Sequence, residues 1–408
     1  MQSLYLSYDG MTDQLGQSQV IPYLQKLTER GHKFTLISFE KPEQLVKHQA
    51  ATTDLLNQIG IEWIPMKYHK WPPVLSTLWD FLWLMKKTHK LCKSKPIEVV
   101  HCRSYVTAIV GLTLKKKRGI KFIFDMRGFW ADERNEGKIW NLKNPIYKFL
   151  YQFFKRKEKQ LLQGADHVIA LTETARDIIH TWKLSVIPPI TVIPCCADTN
   201  HFNRSTINAT DLHNLRFKLG LKNEQFVIGY LGAIGTWYML NEMLDFFKVL
   251  MQSKPEARFL FVTNEPAETI LHTASEKGIA PESIVISSAS RNEVPLYIML
   301  MSISIYFIKP TFSKQASSPT KMAELLSMGI PVICNSGIGD SDRIIEKTEA
   351  GILVDEMSDN SYYAAILKIN NLLQKDPVDL RQTALDYFSL EMGAERYNTV
   401  YKSLSKIN

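Results

Sequence analysis

A chain of 408 residues, 45% hydrophobic and 22% charged, has room for two cores of ordinary size and excludes a disordered or fibrous protein. No run approaches the roughly 18 apolar residues of a membrane span; the most apolar stretch, Val74–Met85, is short and contains Asp80. An excess of 49 Lys and Arg over 41 Asp and Glu, net +8, admits an acidic partner such as nucleic acid, anionic lipid or a phosphorylated substrate. The basic runs Lys86-Lys87, Lys115-Lys116-Lys117-Arg118 and Lys155-Arg156-Lys157 lie in the first half, where they read first as solvated helix faces. They belong to no recognised nucleic-acid module, so no nucleic-acid partner is expected. Five irregularly spaced cysteines, with Cys195 and Cys196 adjacent, suit neither a disulfide framework nor a zinc site. Together with an N-terminus, MQSLYLSYDG, that lacks a signal pattern, they point to a reducing cytoplasm.

In chain order, Leu4–Ser7 reads as a first strand, followed by a loop over Tyr8–Gly16 and a helix from about Gln17 to Arg30 that closes on Gly31. Strands recur at Phe34–Ser38, Ile61–Pro65, Val99–Cys102, Lys121–Asp125, Val168–Leu171 and Ile190–Ile193, with helical patterns between them. That alternation predicts a parallel, doubly wound α/β sheet. Val74–Lys90 is an amphipathic helix bearing Trp79, Phe81 and Trp83 beside Lys86, Lys87 and Lys90. Its aromatics are either the core face of a domain helix or a face lying on an anionic membrane surface. The polar, Asn-rich stretch 202–221 reads as a domain boundary, giving a first domain over 1–205. A second alternating series fills 206–385, with strands at Phe226–Leu231, Arg258–Val262, Ile284–Ile286, Ser304–Ile308, Val332–Cys334 and Ile352–Val354. The amphipathic tail predicts a terminal helix within 386–408 that packs back on the first domain. Two such Rossmann-like domains are expected to face each other across a cleft, with ligands beyond the carboxyl ends of the strands.

The chemistry concentrates in loops that follow strands: 9–16, 125–134, 232–237 and 309–318. After the last of these, Ser318 is placed to cap a helix that has Pro319 at its first position. Lys314 lies before that helix and Lys321 in its first turn, while Thr320 and Glu324 share a face. A helix N-terminus with lysines beside it favours a phosphate. No Asp-x-Asp ends a strand and no His/Cys cluster has ligand spacing, so no metal is expected. Plainer readings stand beside these. Glu324 and Lys321 fit solvated helix positions, and Asp125 fits a turn cap. Arg127, Asp132, Glu133 and Arg134 fit a surface ion-pair cluster.

Several segments carry a resemblance: MAELLSMGIPVICN at 322–335, AGILV at 350–354, VIPCCAD at 192–198, GYLG at 229–232, YDGMTDQLGQSQVIPYL near the N-terminus and RGFWADER at 127–134. Their order and spacing resemble retaining glycosyltransferases of family 4, with the GT-B fold, of a bacterial type that builds polysaccharide or lipopolysaccharide. The resemblance implies a nucleotide-diphosphate-sugar donor as co-substrate, no other cofactor, and a glycan or lipid-linked glycan acceptor. It implies a cytoplasmic enzyme, peripheral on the inner face of the membrane if the acceptor is lipid-linked. Glu324 matches the second glutamate of a family motif and is implied to bond the donor ribose. Gly16, Gly232, Thr236, Ser317, Ser318 and Thr320 fall where the donor binds, and Arg127, Asp132 and Glu133 where the acceptor does. Asp125 matches a residue lining the catalytic pocket. The pattern breaks twice. Ala316 stands where the motif's first glutamate is expected, and the 232–237 loop lacks the usual basic pair. Lys314 and Lys321 are expected to supply the missing charge, with Arg291 a more distant candidate. A sugar-nucleotide epimerase of the same fold and a non-catalytic nucleotide-sugar-binding subunit are the alternatives.

Overall fold

The short runs of Val, Ile, Leu and Phe become parallel strands, buried on both faces, in a computed structural model that describes residues 1–405. Two units result: Met1–Pro194 together with the chain from Leu390 onward, and Cys195–Ser389.

The first unit carries β1 (Gln2–Ser7), β2 (Lys33–Glu40), β3 (Glu62–Lys67), β4 (Val99–Arg103), β5 (Lys121–Asp125), β6 (His167–Ala170) and β7 (Ile190–Val192). They form one seven-stranded sheet in the order β3-β2-β1-β4-β5-β6-β7. The order reverses between β1 and β4, and register aligns Ser7 with Arg103 and Arg103 with Asp125 at the carboxyl end. Such a switch point is where open sheets bind ligands. The single helix expected over 17–30 is instead two, Gln14–Gln19 and Ile21–Glu29. Pro22 lacks an N–H and its ring crowds the preceding turn, so the chain breaks at Val20 (φ −127°, ψ −63°).

The tail returns to this unit as the Leu390–Ser405 helix, packed on Ile21–Glu29. His101 Nδ1 lies 2.7 Å from the Tyr401 hydroxyl, and His32 Nε2 lies 3.0 Å from Asn398 Oδ1. Arg30 pairs with Glu391 and, at 3.2 Å, with Glu395. The division between units therefore falls at Pro194 and Ser389 rather than at 205 and 385. The last positions of the tail expected to be helical, 406–408, lie outside the described residues.

The second unit holds β8 (Val227–Leu231), β9 (Arg258–Val262), β10 (Ile284–Ser287), β11 (Ile303–Tyr306), β12 (Val332–Asn335) and β13 (Gly351–Val354). Their order is β10-β9-β8-β11-β12-β13, with the reversal between β8 and β11. The stretch expected to be a linker is part of this unit. Asn208 caps the Ala209–Lys218 helix by accepting from Thr210 N–H (2.8 Å) and Asp211 N–H (3.2 Å). Leu215 and Leu221 are buried in its core. Asn203 and Asn208, in the stretch read as a domain boundary, are capping residues.

Candidate functional site

In the second unit the loops after β8 and β11 are stitched together at the switch point. Met239 N–H donates to Phe307 O (3.0 Å) and Lys309 N–H to Trp237 O (2.9 Å). Asn335, ending β12, clamps Ile308 from both sides, accepting its N–H at 2.7 Å and donating to its carbonyl at 2.8 Å. Both lysines singled out in the sequence reach this stitched loop. Lys321 Nζ donates to the Tyr230 hydroxyl (3.1 Å) and sits 4.2 Å and 3.7 Å from the ring centroids of Tyr230 and Tyr238. Lys314 Nζ lies 3.8 Å from the ring centroid of Trp237.

Gly232 (φ +114°) roofs the cage: a Cβ there would stand 3.5 Å from Lys321 Nζ. A glycine permits that conformation and leaves the ammonium close to open backbone. Burial pulls the Lys321 pKa well below the ordinary lysine value, opposed by the nearby Glu324 charge. The aromatic faces hold the cation by their quadrupoles where water is excluded. The 232–237 loop contains no basic residue, yet two ammonium groups stand against it.

The Thr320–Ser327 helix begins after Pro319, and no side chain caps it. Ser318 is not the cap: its hydroxyl accepts Cys195 N–H at 3.1 Å. Thr320 opens the helix half-buried, Ser317 N–H is turned to Lys314 O (3.1 Å), and Thr236 is exposed on the loop after β8. Glu324 is not a solvated helix glutamate. It is 6% exposed, and its Oε1 meets Arg291 Nη1 at 2.5 Å. Burial raises its pKa, against the lowering pull of Arg291, Lys321 and His201. Arg291 in turn lies over the Phe202 ring at 4.8 Å. Ala316 is buried at the end of a short turn, Phe312–Ala316, so the position matching the family's first glutamate faces the interior.

In the first unit, Asp125 is 0% exposed. Its Oδ2 accepts from the Tyr397 hydroxyl (3.0 Å) and lies 3.5 Å from His101 Nε2, while Arg127 Nη1 stands 3.8 Å from Oδ1. Burial pushes its pKa up, but Arg127, His101 and Arg103 outweigh this and hold it below the usual carboxylate value. Asp125 is thus enclosed by its partners and pairs with Arg127, whose backbone takes φ +57° at the strand end. Arg103 Nε donates to Asp9 Oδ2 at 3.0 Å, completing a charge cluster across the ends of β1, β4 and β5. Asp132 is spent internally, accepting from the Tyr151 hydroxyl (2.7 Å) and Lys155 Nζ (2.8 Å) where the Trp130–Glu136 helix meets Pro145–Gly164. Glu133 is half-buried on the same turn, and Arg134 stacks 5.0 Å from the Trp130 ring. The surface ion cluster read from 127–134 is in fact split between the strand-end cluster and this helix packing.

Gly16 is buried and shapes the first loop: a Cβ there would meet Gly10 O at 2.2 Å. The loop is held by a residue the sequence did not reveal. Glu40, fully buried at the end of β2, accepts Met11 N–H (2.8 Å) and the Ser38 hydroxyl (2.5 Å) on Oε1. On Oε2 it accepts Thr12 N–H (3.0 Å) and the Thr12 hydroxyl (2.6 Å). Glu40→Gln would turn an amide N–H toward these donors, and should lower unfolding stability by about 1–3 kcal/mol. An unchanged melting curve would show that the staple is idle. Tyr230, Tyr238, Trp237 and Arg103 were also missed, although an aromatic pair directly after the Gly232–Gly235 turn was visible in the sequence.

Two parallel-sheet α/β units with these switch points are the architecture of GT-B glycosyltransferases. HepE from Anabaena, solved with UDP and glucose, superimposes with a TM-score of 0.68 at 16% identity, covering 100% of each chain. A family model described as Glycosyltransferase Family 4 matches residues 18–201, and one described as Glycosyl transferases group 1 matches 212–384. The chain belongs to the GT-B glycosyltransferases of the family 4 type. It is 21% identical over 263 residues to an alpha-monoglucosyldiacylglycerol synthase from Acholeplasma laidlawii, covering 62% of each chain. It is 24% identical over 241 residues to the capsular polysaccharide biosynthesis glycosyltransferase CapM from Staphylococcus aureus, covering 58% of this chain and 59% of CapM. The matches thus span about three fifths of these relatives' lengths.

Proposed function

We propose that the chain moves a sugar from a nucleotide-diphosphate sugar to a glycan or lipid-linked glycan acceptor, with retention of configuration and without a metal. The observation that carries this reading is the convergence of Lys314 and Lys321 on the loop after β8, beside an uncapped helix N-terminus. Those groups suit a diphosphate that gains charge as it leaves. Glu324, on the next turn, suits a ribose hydroxyl. In the step proposed, the bond from the anomeric carbon to phosphate oxygen breaks and a bond to the acceptor oxygen forms on the same face. The acceptor proton passes to the departing phosphate. Arg127 contacts the acceptor and Asp125 positions it.

HepE is recorded with UDP, and the two curated relatives are named for a glycolipid and a capsular polysaccharide, which supports a uridine donor and a membrane-borne acceptor. Among the described residues no helix is long and apolar enough to cross a membrane. The proposed site of action is the cytoplasmic face of an anionic bilayer.

A panel of nucleoside diphosphates tests the donor half. A ligand a hundredfold above its Kd should stabilise the fold by about 2.7 kcal/mol, read as a raised melting temperature. No response to any member would remove the donor assignment. Product that forms only with an acceptor, and survives EDTA, separates transfer from epimerisation and from metal dependence.

A further inference from the structure

Surface helices ordinarily turn their apolar side inward. The Leu75–Ser94 helix does the reverse. Its inward positions recur every four residues as Ser76, Asp80, Leu84 and Thr88. Asp80 fixes that rotation. Its Oδ2 accepts from the Tyr8 hydroxyl (2.9 Å) and His69 N–H (3.1 Å), and its Oδ1 meets His69 Nδ1 at 2.5 Å. Leu75, Leu78, Trp79, Leu82 and Trp83 therefore point outward at helical spacing, with Trp79 54% and Trp83 47% exposed. The same face continues into exposed Lys86, Lys87, Lys90 and Lys93. Lys86 Nζ lies 5.2 Å from the Trp83 ring centroid. The helix holds one carboxylate, Asp80, and it is buried. Just before the helix, Lys70 and Trp71 are exposed as well.

A contiguous apolar patch of this kind marks an interaction surface rather than ordinary solvent exposure. We propose that this face lies on an anionic lipid bilayer, with the tryptophans and leucines at the headgroup–acyl boundary and the lysines on lipid phosphates. Tryptophan favours that boundary, and a helix with apolar turns followed by lysines binds in the interface plane. Charge decides between occupants. Two copies meeting through this face would set lysines against lysines or against apolar turns, with no carboxylate to answer them. An anionic bilayer answers both halves at once.

The proposal rests on the membrane-borne acceptor only for its purpose, so its test avoids transfer altogether. Full-length protein is sedimented with phosphatidylcholine vesicles, with and without phosphatidylglycerol, at low and high salt. Binding is expected on the anionic vesicles and should fall with salt. Trp79→Ser with Trp83→Ser should abolish it, and Lys86→Gln with Lys87→Gln should weaken it about fivefold per lysine. Stabilisation by UDP should be the same in both variants as in the wild type, showing an intact fold. No sedimentation with anionic vesicles at low salt, or sedimentation indifferent to both double variants, overturns the proposal. So does a concentration-dependent dimer that the tryptophan variant dissolves, which would assign the face to a second copy. Vesicle binding by a protein that transfers no sugar would leave this face standing and sink the transferase reading instead.

Discussion

Lys321→Met is expected to lower kcat/KM for sugar transfer about a hundredfold, while leaving the melting temperature near that of the wild type. The ammonium sits in an aromatic cage under Gly232, where in the proposed reaction its charge would act on the leaving phosphate with little screening. Methionine keeps the volume and removes a charge whose burial is already unfavourable, so the fold should tolerate it. The pH dependence adds a second reading. Burial lowers the Lys321 pKa in the folded chain, whereas the unfolded chain holds that proton up to about 10.5. Between the two values the unfolded state binds more protons, so stability rises with pH through that window. The variant should lose this rise. A diphosphate beside Lys321 favours its charged form, so UDP affinity should fall as pH climbs through the free enzyme's Lys321 pKa. Transfer within a few-fold of wild type would end the claim that this lysine stands in for the missing basic pair.

Arg291→Ala is the second large effect, and its signature is a dependence on pH. Removing the guanidinium leaves Glu324 buried with its strongest partner gone. Because Arg291 is itself 45% exposed, the loss at neutral pH should be about 1–2 kcal/mol rather than that of a fully buried pair. Burial already raises the Glu324 pKa above 4.5, and the variant should raise it further. A carboxyl with a raised folded pKa binds more protons folded than unfolded, so stability falls as pH rises through that window. The gap between variant and wild type should therefore be widest near neutrality and close as pH falls toward 4.5. Melting curves across that range check it, and a gap that stays constant would mean the pair is not coupled to Glu324 ionisation. Glu324→Gln, which keeps the shape, should raise the donor KM about tenfold to a hundredfold.

The sheets were legible because parallel strands buried on both faces are nearly continuous apolar runs. Strand ends were not, wherever a polar residue completes the ladder, as Arg103, Glu40 and Asn335 do. Lys321 and Glu324 were readable as helix positions. Their partners were not, since Tyr230, Tyr238 and Arg291 arrive from other segments. Ser318 has the local chemistry of a cap, yet the amide of Cys195 claims its hydroxyl, and no local rule foresees that. Asp125 was readable as a strand-end residue, but its partner Tyr397 was not, since it arrives from the terminal helix. Periodicity placed Trp79 and Trp83 on one stripe, but spacing cannot tell which way a stripe turns. Asp80 decided that, through a histidine and a tyrosine from two other loops.

The return of the Leu390–Ser405 helix to the first unit has a consequence for how the protein comes into being. Tyr397, Asn398 and Tyr401 close over Asp125, His32 and His101, residues made before the second unit. The amino-terminal half thus leaves the ribosome with an open flank, and waits for the whole of Cys195–Ser389 to be made before its own last piece arrives. The unit that is born first is finished last.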